Sequence, residues 1–357
     1  MDIYASKLST AVDYGAGAFL LLIAILSVGG NLLVLVMAYK RSSHMKPPEL
    51  LSVNLAVTDL GAAVSMYPLA VASSWNHAWL GGDATCIYYG LMGFFFGVAS
   101  VATLTVMAIV RFSVSLTLQS PKEKISKRRV HVLLAGTWLY ALLWALFPLL
   151  GWGKYGPEPF GLSCTLAWGE MKEHSPSFVI SIFSMNLAIP AIIIISCYFG
   201  IALRLYVSYK SVGNGNLVPN AVKMQRRLMM IAVLISVGFL ACWTPYGIVS
   251  LWSVYSSSAS IPPHISMLPC LFAKTSTVYN PLIYYTFSKS FKQEVKQLLH
   301  LCSRSETCQA SRPNNGTENS IYLVCESNKL KEDLSVEHSF DKSREIETRF
   351  NSTQDIY

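Results

Sequence analysis

Residues 268–285, LPCLFAKTSTVYNPLIYY, decide how the rest of this sequence is interpreted. The stretch is apolar over most of its length and belongs to a run long enough to cross a bilayer, yet it carries a lysine, Lys274, near its middle. An ammonium group at membrane depth is unfavourable by at least about 2.5 kcal/mol and marks a functional site by default. The sequence therefore raises the question of what Lys274 binds.

The composition is that of an integral membrane protein. The chain has 357 residues, of which 52% are hydrophobic and 13% charged, and its mean hydropathy is +0.41. Such a chain is too apolar for an ordinary soluble domain. A membrane-spanning helix needs about 20 mostly apolar residues. Runs of that kind predict an all-α, seven-transmembrane helix bundle with spans at Gly15 to Tyr39, Leu50 to Ser73, Ala84 to Phe112, Val130 to Gly151, Pro176 to Tyr206, Leu228 to Tyr255 and Pro262 to Phe287.

Lysine and arginine are distributed unevenly between the two sides of the predicted bundle. The loops after spans one, three and five are rich in both residues, whereas the opposite side has only Lys7, Lys154 and Lys172. By the positive-inside rule, the N-terminus is expected outside and the C-terminus inside. The net charge of +8 is therefore a topology signal and does not indicate a nucleic-acid partner. The first residues lack the pattern of a cleaved signal peptide, so the first span is expected to direct insertion.

The eight cysteines divide according to the side of the membrane on which they are predicted. Cys86 and Cys164 are expected at the outer face, where an oxidising environment favours a disulfide that ties the loop before span five over the bundle. The cysteines inside spans are interpreted as small buried apolar residues; they are Cys197, Cys242 and Cys270. Cys302, beyond span seven, is a candidate for palmitoylation.

Few polar side chains interrupt the spans. Away from the span ends, Asp59 and Lys274 are the only ionisable side chains. Asp59 has nearer predicted partners in Asn31 and Asn280, because polar groups in a lipid-embedded core must find one another. That cluster is either structural or an ion-binding switch. Arg111, at the inner boundary of span three, is either a snorkelling interfacial charge or a functional residue. No metal site is predicted.

Other residues predict where helices approach one another, bend or leave space. Gly97 is one of several small residues in span three that permit close helix contact or leave room for a ligand. Pro190 in span five and CWTPY, residues 242–246, in span six predict kinks, and the second lies beside the bulky Trp243. A disulfide would hold Glu158 over the mouth of the bundle. There it is either solvated or the electrostatic partner of a buried cation.

The character of the chain changes twice after span seven. FSKSFKQEVKQLLHLC, residues 287–302, mixes apolar and basic residues and predicts an amphipathic helix on the inner leaflet. The polar composition from residue 303 onward predicts a disordered cytoplasmic tail. The expected organisation is a short outer N-terminus (1–14), a transmembrane domain (15–287), a membrane-surface helix (288–302) and the tail (303–357).

Taken in order, these features resemble the rhodopsin-like class of G-protein-coupled receptors. The resemblance covers residues 15 to 300 and rests on Asn31, NLAVTDL with Asp59, Cys86 with Cys164, Arg111, Trp138, Pro190, CWTP with Trp243, and NPLIY with Tyr284. Within that class, AKTSTVYNPLIY looks like the opsin signature, in which the helix-seven lysine condenses with retinal. The stretches PEPFGLSCTL, GFFFG and CLFAKTS look most like the neuropsin (opsin-5) group.

The resemblance implies roles for individual residues. Retinal, 11-cis or all-trans, would be bound to Lys274 as a Schiff base. Vertebrate visual opsins have a glutamate three residues after the helix-three cysteine, but this chain has Tyr89 there, so Glu158 is the expected counter-ion. The remaining residues expected around retinal are Tyr89, Gly97, Trp243 and Tyr246. Those expected in the switch and in G-protein coupling are Asp59, Arg111, Asn280, Pro281 and Tyr284.

The resulting hypothesis is a light-sensing receptor of the plasma membrane, not an enzyme. Photoisomerisation would displace helix six and admit a heterotrimeric G protein, of the inhibitory class by the resemblance, while arrestin and a receptor kinase would act on the tail. An alternative is a retinal photoisomerase with little signalling. A receptor for a diffusible ligand is disfavoured because it would leave Lys274 buried without a covalent or ionic use.

Three positions depart from the family pattern. Val110 replaces the acid that usually precedes the helix-three arginine, and Gln225 stands where many opsins carry an acid at the base of helix six. With both acids absent, Arg111 is expected to be less restrained, which would raise basal activity or alter G-protein coupling. Tyr67 stands where neuropsins often have lysine, which weakens any expectation of ultraviolet sensitivity.

Overall fold

The computed structural model describes residues 3–42, 45–116, 126–212, 219–255, 261–288 and 291–298. Within these ranges the chain is mainly helical. The helices of the first half are α1 (Thr10–Lys40), α2 (Pro47–Trp75), α3 (Gly82–Leu116) and α4 (Lys127–Leu146), the last followed by a 3₁₀ turn at Phe147–Leu150. Each begins or ends within a few residues of a predicted span, because hydropathy and helix length are both local properties of the sequence.

The second half contains the short α5 (Trp168–His174), α6 (Pro176–Phe183), α7 (Ile189–Val212), α8 (Pro219–Tyr255), α9 (Pro263–Lys274) and α10 (Ser276–Phe287). A π-helical segment, Ser184–Ala188, joins α6 to α7, so the two form one continuous span. The segment ends shortly before Pro190, whose ring nitrogen has no hydrogen to donate to the preceding turn. The sequence predicted a kink at Pro190 in this span but not the π-helical segment before it.

The seventh predicted span is broken. Among the described residues, six helices are long and apolar enough to cross a membrane. The span predicted at Pro262 to Phe287 consists of two helices of 12 residues, α9 and α10, which meet at Thr275. Neither half reaches the required length of about 20 residues, but together they do. The predicted all-α fold with seven spans is confirmed, and the break falls directly after Lys274.

Helix α3 lies at the centre of the bundle and packs against α2, α4, α7 and α8. Glycines on the neighbouring helices allow this close contact. A Cβ atom on Gly61 of α2 would lie 2.5 Å from the ring of Phe96, and one on Gly200 of α7 would lie 2.6 Å from the ring of Phe112. A larger side chain at either glycine would therefore have to displace the facing phenylalanine ring of α3.

One end of the bundle, called the disulfide end below, is covered by the loop after α4. The loop forms a two-stranded antiparallel sheet, β1 (Tyr155–Pro157) and β2 (Cys164–Leu166), and the predicted disulfide between Cys86 and Cys164 is confirmed. The N-terminal segment packs on the same end, because the Lys7 amide donates to the Phe160 carbonyl at 3.2 Å. The loop is therefore attached both to α3 and to the start of the chain.

The chain divides into two compact units, Met1–Lys292 and Gln293–Tyr357. Residues 291–298 are helical and fall inside the range predicted for the membrane-surface helix. Cys302 and the predicted tail, residues 303–357, lie outside the described residues.

Buried polar side chains join α1 and α2 to α10. Asn280 Nδ2 donates to Asp59 Oδ2 at 2.6 Å. Asn31 was expected beside Asp59, but its Nδ2 donates instead to the backbone oxygens of Ser27 and Thr277, both at 2.9 Å. Since lipid offers no hydrogen bonds in exchange, these contacts hold the helices together.

Replacing Asn31 by leucine is expected to lower the free energy of unfolding by about 1 to 2 kcal/mol, because it removes both hydrogen bonds of a fully buried side chain. Thermal denaturation of the purified protein in detergent measures the effect. Leu32→Ala is the matched control, since Leu32 is the next residue and is 45% exposed on the outside of the bundle. Equal melting temperatures for Asn31→Leu and the wild type would contradict this role.

Candidate functional site

A cavity of about 310 Å³ lies inside the bundle toward the disulfide end. Its volume is at the lower end of the range typical of small-molecule sites. The walls are mainly aromatic and small residues, among them Phe94, Phe96, Gly90, Gly93, Gly97, Phe239 and Trp243. Three side chains that carry an amine or a carboxyl group border the same space: Lys274, Glu158 and Asp59, the last of which accepts a hydrogen bond from Asn280. The cavity therefore suits an apolar molecule with one reactive or polar end.

Lys274 is the last residue of α9. Its Nζ donates a hydrogen bond to Cys270 Sγ at 3.1 Å and lies 5.7 Å from the centre of the Tyr89 ring. Cys270 is one helical turn before Lys274, so both side chains extend from the same face of α9. From the sequence, Cys270 was interpreted as a small buried apolar residue. In the structure it accepts a hydrogen bond from Lys274.

The backbone of Lys274 is held separately from its side chain. The break at Thr275 leaves the Lys274 carbonyl without a complete set of helical partners, and it accepts hydrogen bonds from the Tyr67 hydroxyl and from Thr277 Oγ1, both at 3.0 Å. The two hydroxyl oxygens also lie 3.1 Å apart. Tyr67, the residue that departs from the neuropsin pattern, therefore fixes the main chain at Lys274.

Glu158 lies in the loop between β1 and β2 and is 7% exposed. Its Oε1 accepts a hydrogen bond from the Tyr246 hydroxyl at 2.9 Å, and its backbone amide donates to the Ser163 carbonyl at 2.8 Å. Burial raises the pKa of Glu158 to about 7, although the hydrogen bond from Tyr246 and the charge of Lys274 oppose the rise. In the described part of the chain, no ion pair within 4.0 Å joins Glu158 to Lys274.

Tyr246 connects this carboxylate to the rest of the loop. Its hydroxyl oxygen accepts a hydrogen bond from Trp168 Nε1 at 3.3 Å and lies 3.0 Å from Thr165 Oγ1. Trp168 and Thr165 also border the cavity, and neither was selected from the sequence because both lie outside the predicted spans. The predicted cavity residue Tyr246 thus contacts the predicted counter-ion directly.

Trp243 lies deeper in the cavity, between α3 and α10. Its Nε1 donates to Ser276 Oγ at 3.2 Å, and a Cβ atom on Gly97 would be 3.5 Å from its ring. The ring also stacks on Phe239, with centroids 5.7 Å apart. The predicted residues Gly97 and Trp243 therefore face each other. Tyr89, in turn, packs edge-on against Trp79 at a centroid distance of 5.0 Å.

Of the remaining predicted residues, Asp59 also borders the cavity, whereas Arg111, Asn280, Pro281 and Tyr284 do not. Arg111 and Tyr284 are both buried, and a Cβ atom on Gly30 would be 2.9 Å from Pro281. Val110 belongs to an apolar cluster with Leu51, Met107, Val130 and Ala232. The side chain of Gln225 lies outside the described residues. Val110, which replaces the usual acid before Arg111, is therefore part of an apolar cluster.

The described residues contain no group of three or more His, Cys, Asp or Glu side chains placed to hold a metal ion. The chemistry of the cavity is instead that of an amine, a thiol, two carboxyl groups and aromatic hydroxyl groups. An amine in such an enclosed site can attack a carbonyl compound once it is uncharged.

Comparison with known proteins agrees with this geometry. The model of the 7 transmembrane receptor (rhodopsin family) matches residues 30–284. Opsin-5 of Homo sapiens is 36% identical over 293 residues, which cover 81% of this chain and 82% of the relative. The visual pigment-like receptor peropsin of Homo sapiens is 31% identical over 275 residues, which cover 77% of this chain and 81% of the relative. The crystal structure of squid rhodopsin superposes with a TM-score of 0.76 at 28% identity, covering 85% of this chain and 89% of that one.

The chain belongs to the rhodopsin family of seven-transmembrane receptors and, within it, to the opsins. The predicted resemblance to the neuropsin (opsin-5) group is confirmed.

Glu158 is expected to make the stability of the ligand-free protein depend on pH. The carboxyl is protonated in both folded and unfolded chains below its ordinary pKa of 4.5, but only the folded chain retains the proton up to about pH 7. The contribution of Glu158 to stability is therefore fully present below pH 4.5 and is lost as the pH rises through 7, by about 3 kcal/mol.

Melting temperatures of the wild type and of Glu158→Gln between pH 4.5 and 8 measure this contribution. The variant should gain stability relative to the wild type as the pH rises. Glu170→Gln is the control, because the Glu170 side chain is exposed and pairs with Lys154. A constant difference between wild type and Glu158→Gln at all pH values would contradict the assignment.

Proposed function

We propose that this opsin is a light-sensing G-protein-coupled receptor that holds retinal as a Schiff base on Lys274. The observation that carries the proposal is the position of the lysine: its Nζ borders an aromatic cavity, and its hydrogen-bond acceptor is a thiol and not a carboxylate. Membership of the opsins supports the same reading.

The residues around the cavity fit retinal. Its polar end would meet Lys274 and Glu158, and the apolar remainder would lie against Phe94, Trp243 and the glycines of α3. When bound, retinal supplies an aldehyde that condenses with the amine, releasing one water, and a polyene whose shape changes with light. Both the 11-cis and the all-trans isomers are candidates.

Cys270 and Tyr67 would prepare Lys274 for this role. Cys270 Sγ accepts the Nζ hydrogen and so directs the amine along α9 into the cavity. Tyr67 holds the Lys274 carbonyl, which keeps the backbone fixed while the side chain reacts. An amine positioned in this way needs little reorganisation before attack.

Glu158 would serve as the counter-ion for the protonated nitrogen. It is a buried carboxyl group on the same cavity. Burial raises its pKa, and the hydrogen bond from Tyr246 and then the positive charge of Lys274 oppose that rise. Since no ion pair within 4.0 Å joins the two described side chains, Glu158 would act across the cavity while Tyr246 holds it in place. The glutamate would therefore stabilise positive charge without binding Nζ directly.

Trp243 would transmit the change in ligand shape to α8. It lies against Gly97 and bonds to Ser276, and Pro245 two residues later interrupts the hydrogen bonding of α8. A rigid-body displacement of α8 would then expose Arg111 and the basic loops to a G protein. Asp59, Asn280, Pro281 and Tyr284 would take part in the same switch.

The proposed location is the plasma membrane, with the disulfide end outside and the C-terminus in the cytoplasm. A heterotrimeric G protein, of the inhibitory class by the resemblance, would bind the inner face. Residues 1–14 would be extracellular and residues 15–287 would form the retinal-binding bundle. Residues 288–302 would lie on the membrane with Cys302 lipidated. A receptor kinase would phosphorylate the tail, 303–357, and arrestin would bind the phosphorylated tail.

The alternative function is a retinal photoisomerase with little signalling. Val110 favours it, because an apolar residue packed among Leu51, Met107 and Val130 leaves Arg111 without the neighbouring acid that most receptors of the class have. The two functions differ in whether light produces nucleotide exchange or catalytic turnover of one retinal isomer.

Lys274→Ala is expected to abolish the covalent retinal adduct, because it removes the amine that condenses with the aldehyde. The protein is reconstituted separately with 11-cis and all-trans retinal, and the adduct is acid-trapped and measured spectroscopically. Lys292→Ala is the control, since Lys292 lies over the Tyr285 ring and not in the cavity. Persistence of the adduct in Lys274→Ala would exclude the proposed attachment site.

Val110→Asp is expected to lower G-protein nucleotide exchange in darkness about tenfold. A carboxylate beside Arg111 would bind the guanidinium and stabilise the inactive state relative to the active one by roughly 1.4 kcal/mol. Val110→Thr, which keeps the shape without the charge, should stay near the wild type. Absence of dark exchange in the wild type, together with no effect of Val110→Asp on coupling, would refute the raised-basal-activity hypothesis.

Retinal extracted before and after illumination in the same samples identifies a photoisomerase, which would turn over one retinal isomer without nucleotide exchange.

A further inference from the structure

Asn186 is a partly buried residue whose side-chain amide the proposed mechanism does not use. It lies in the π-helical segment Ser184–Ala188, and it borders the cavity that contains Lys274. Its side-chain oxygen and nitrogen are both buried, and neither has a hydrogen-bond partner in the described part of the protein. Buried amides in folded proteins are nearly always satisfied, so this one calls for a partner.

The local backbone directs Asn186 toward the cavity. Ile182 and Pro190, four residues before and after it, also border the cavity and therefore mark one face of this span. The carbonyl of the preceding residue, Met185, accepts a hydrogen bond from the Tyr140 hydroxyl at 3.2 Å. The Tyr140 hydroxyl therefore bonds to the backbone of this segment and not to the Asn186 side chain. π-Helical segments often occur at functional positions.

Asn186 and Lys274 come from different sides of the cavity. Asn186 precedes α7, which packs against α3 and α8, whereas Lys274 ends α9, which packs against α1 and α8. Between them lie aromatic walls that include Phe94 and Trp243. A long ligand attached at Lys274 would therefore bring its far end, and not its attached end, to Asn186.

We propose that Asn186 recognises an oxygen atom on the ring of the retinoid, so that this site prefers a retinoid with a hydroxyl or keto group on its ring to an unsubstituted one. The inference rests on the proposed function. An amide can donate to a keto or hydroxyl oxygen and can accept from a hydroxyl. An all-carbon ring leaves the amide unpaired, and sites that contain unpaired polar groups discriminate against ligands that cannot bond to them.

Ring fragments that share one side-chain ketone, lack the aldehyde of retinal and differ only in the ring oxygen test this preference, because any reaction or bond of the shared ketone is common to all of them. β-Ionone, 4-oxo-β-ionone and 3-hydroxy-β-ionone are titrated into the ligand-free protein in detergent, and binding is followed by quenching of tryptophan fluorescence, since Trp168 and Trp243 border the cavity. At least one oxygenated fragment should bind about tenfold more tightly than β-ionone. Asn186→Leu should remove the preference, while Ile182→Val, on the same face, should keep it.

Three results would overturn the inference: equal affinities in the wild type, no binding of any fragment, or an unchanged preference in Asn186→Leu. The wild-type comparison needs no variant, so it decides the question even where Asn186→Leu does not fold. Acid trapping of retinal on the wild type distinguishes the two proposals. An adduct without a ring preference leaves the proposed function intact and removes the role of Asn186, whereas a ring preference without an adduct removes the covalent function.

Discussion

The satisfaction of polar groups inside a membrane-embedded bundle is the constraint on which this structure depends. The seventh span breaks after Lys274, at a depth where the bilayer core has no water to replace the lost helical hydrogen bonds. The protein supplies Tyr67 and Thr277 for the carbonyl and Cys270 for the side-chain nitrogen. The break is therefore a stable feature, and it presents the amine to the cavity instead of to lipid.

The same constraint explains the loop at the disulfide end. A glutamate held over the cavity is poorly solvated, and this burial raises the pKa of Glu158. Tyr246 donates to the carboxylate from α8, while the disulfide and the β1–β2 pairing hold the loop from below. The carboxylate thus occupies a site built by elements that are far apart in the sequence.

The sequence predicts the local features well and the relations between distant residues less well. Helical spans follow from apolar length, and Lys274 is conspicuous as a charge in such a span. The break at Thr275 and the π-helical segment depend instead on partners contributed by other helices. Asn31 shows the difference: its burial is predictable, but its choice of the Thr277 carbonyl over Asp59 depends on the register between α1 and α10. Cys270 could have been found, because it is four residues from Lys274 on one helical face.

The distribution of these hydrogen bonds also indicates which helix is free to move. Asn31 and Tyr67 attach the segment from Lys274 to Thr277 to α1 and α2 through buried bonds of 2.9 to 3.1 Å. On the other side, α8 contacts the same segment through longer contacts, Trp243 to Ser276 at 3.2 Å and Cys242 to Thr275 at 3.6 Å. A ligand that changed shape beside Trp243 would therefore act directly on α8. Because α9 and α10 are fixed to α1 and α2, the displacement is expected in α8, where Pro245 already weakens the helix.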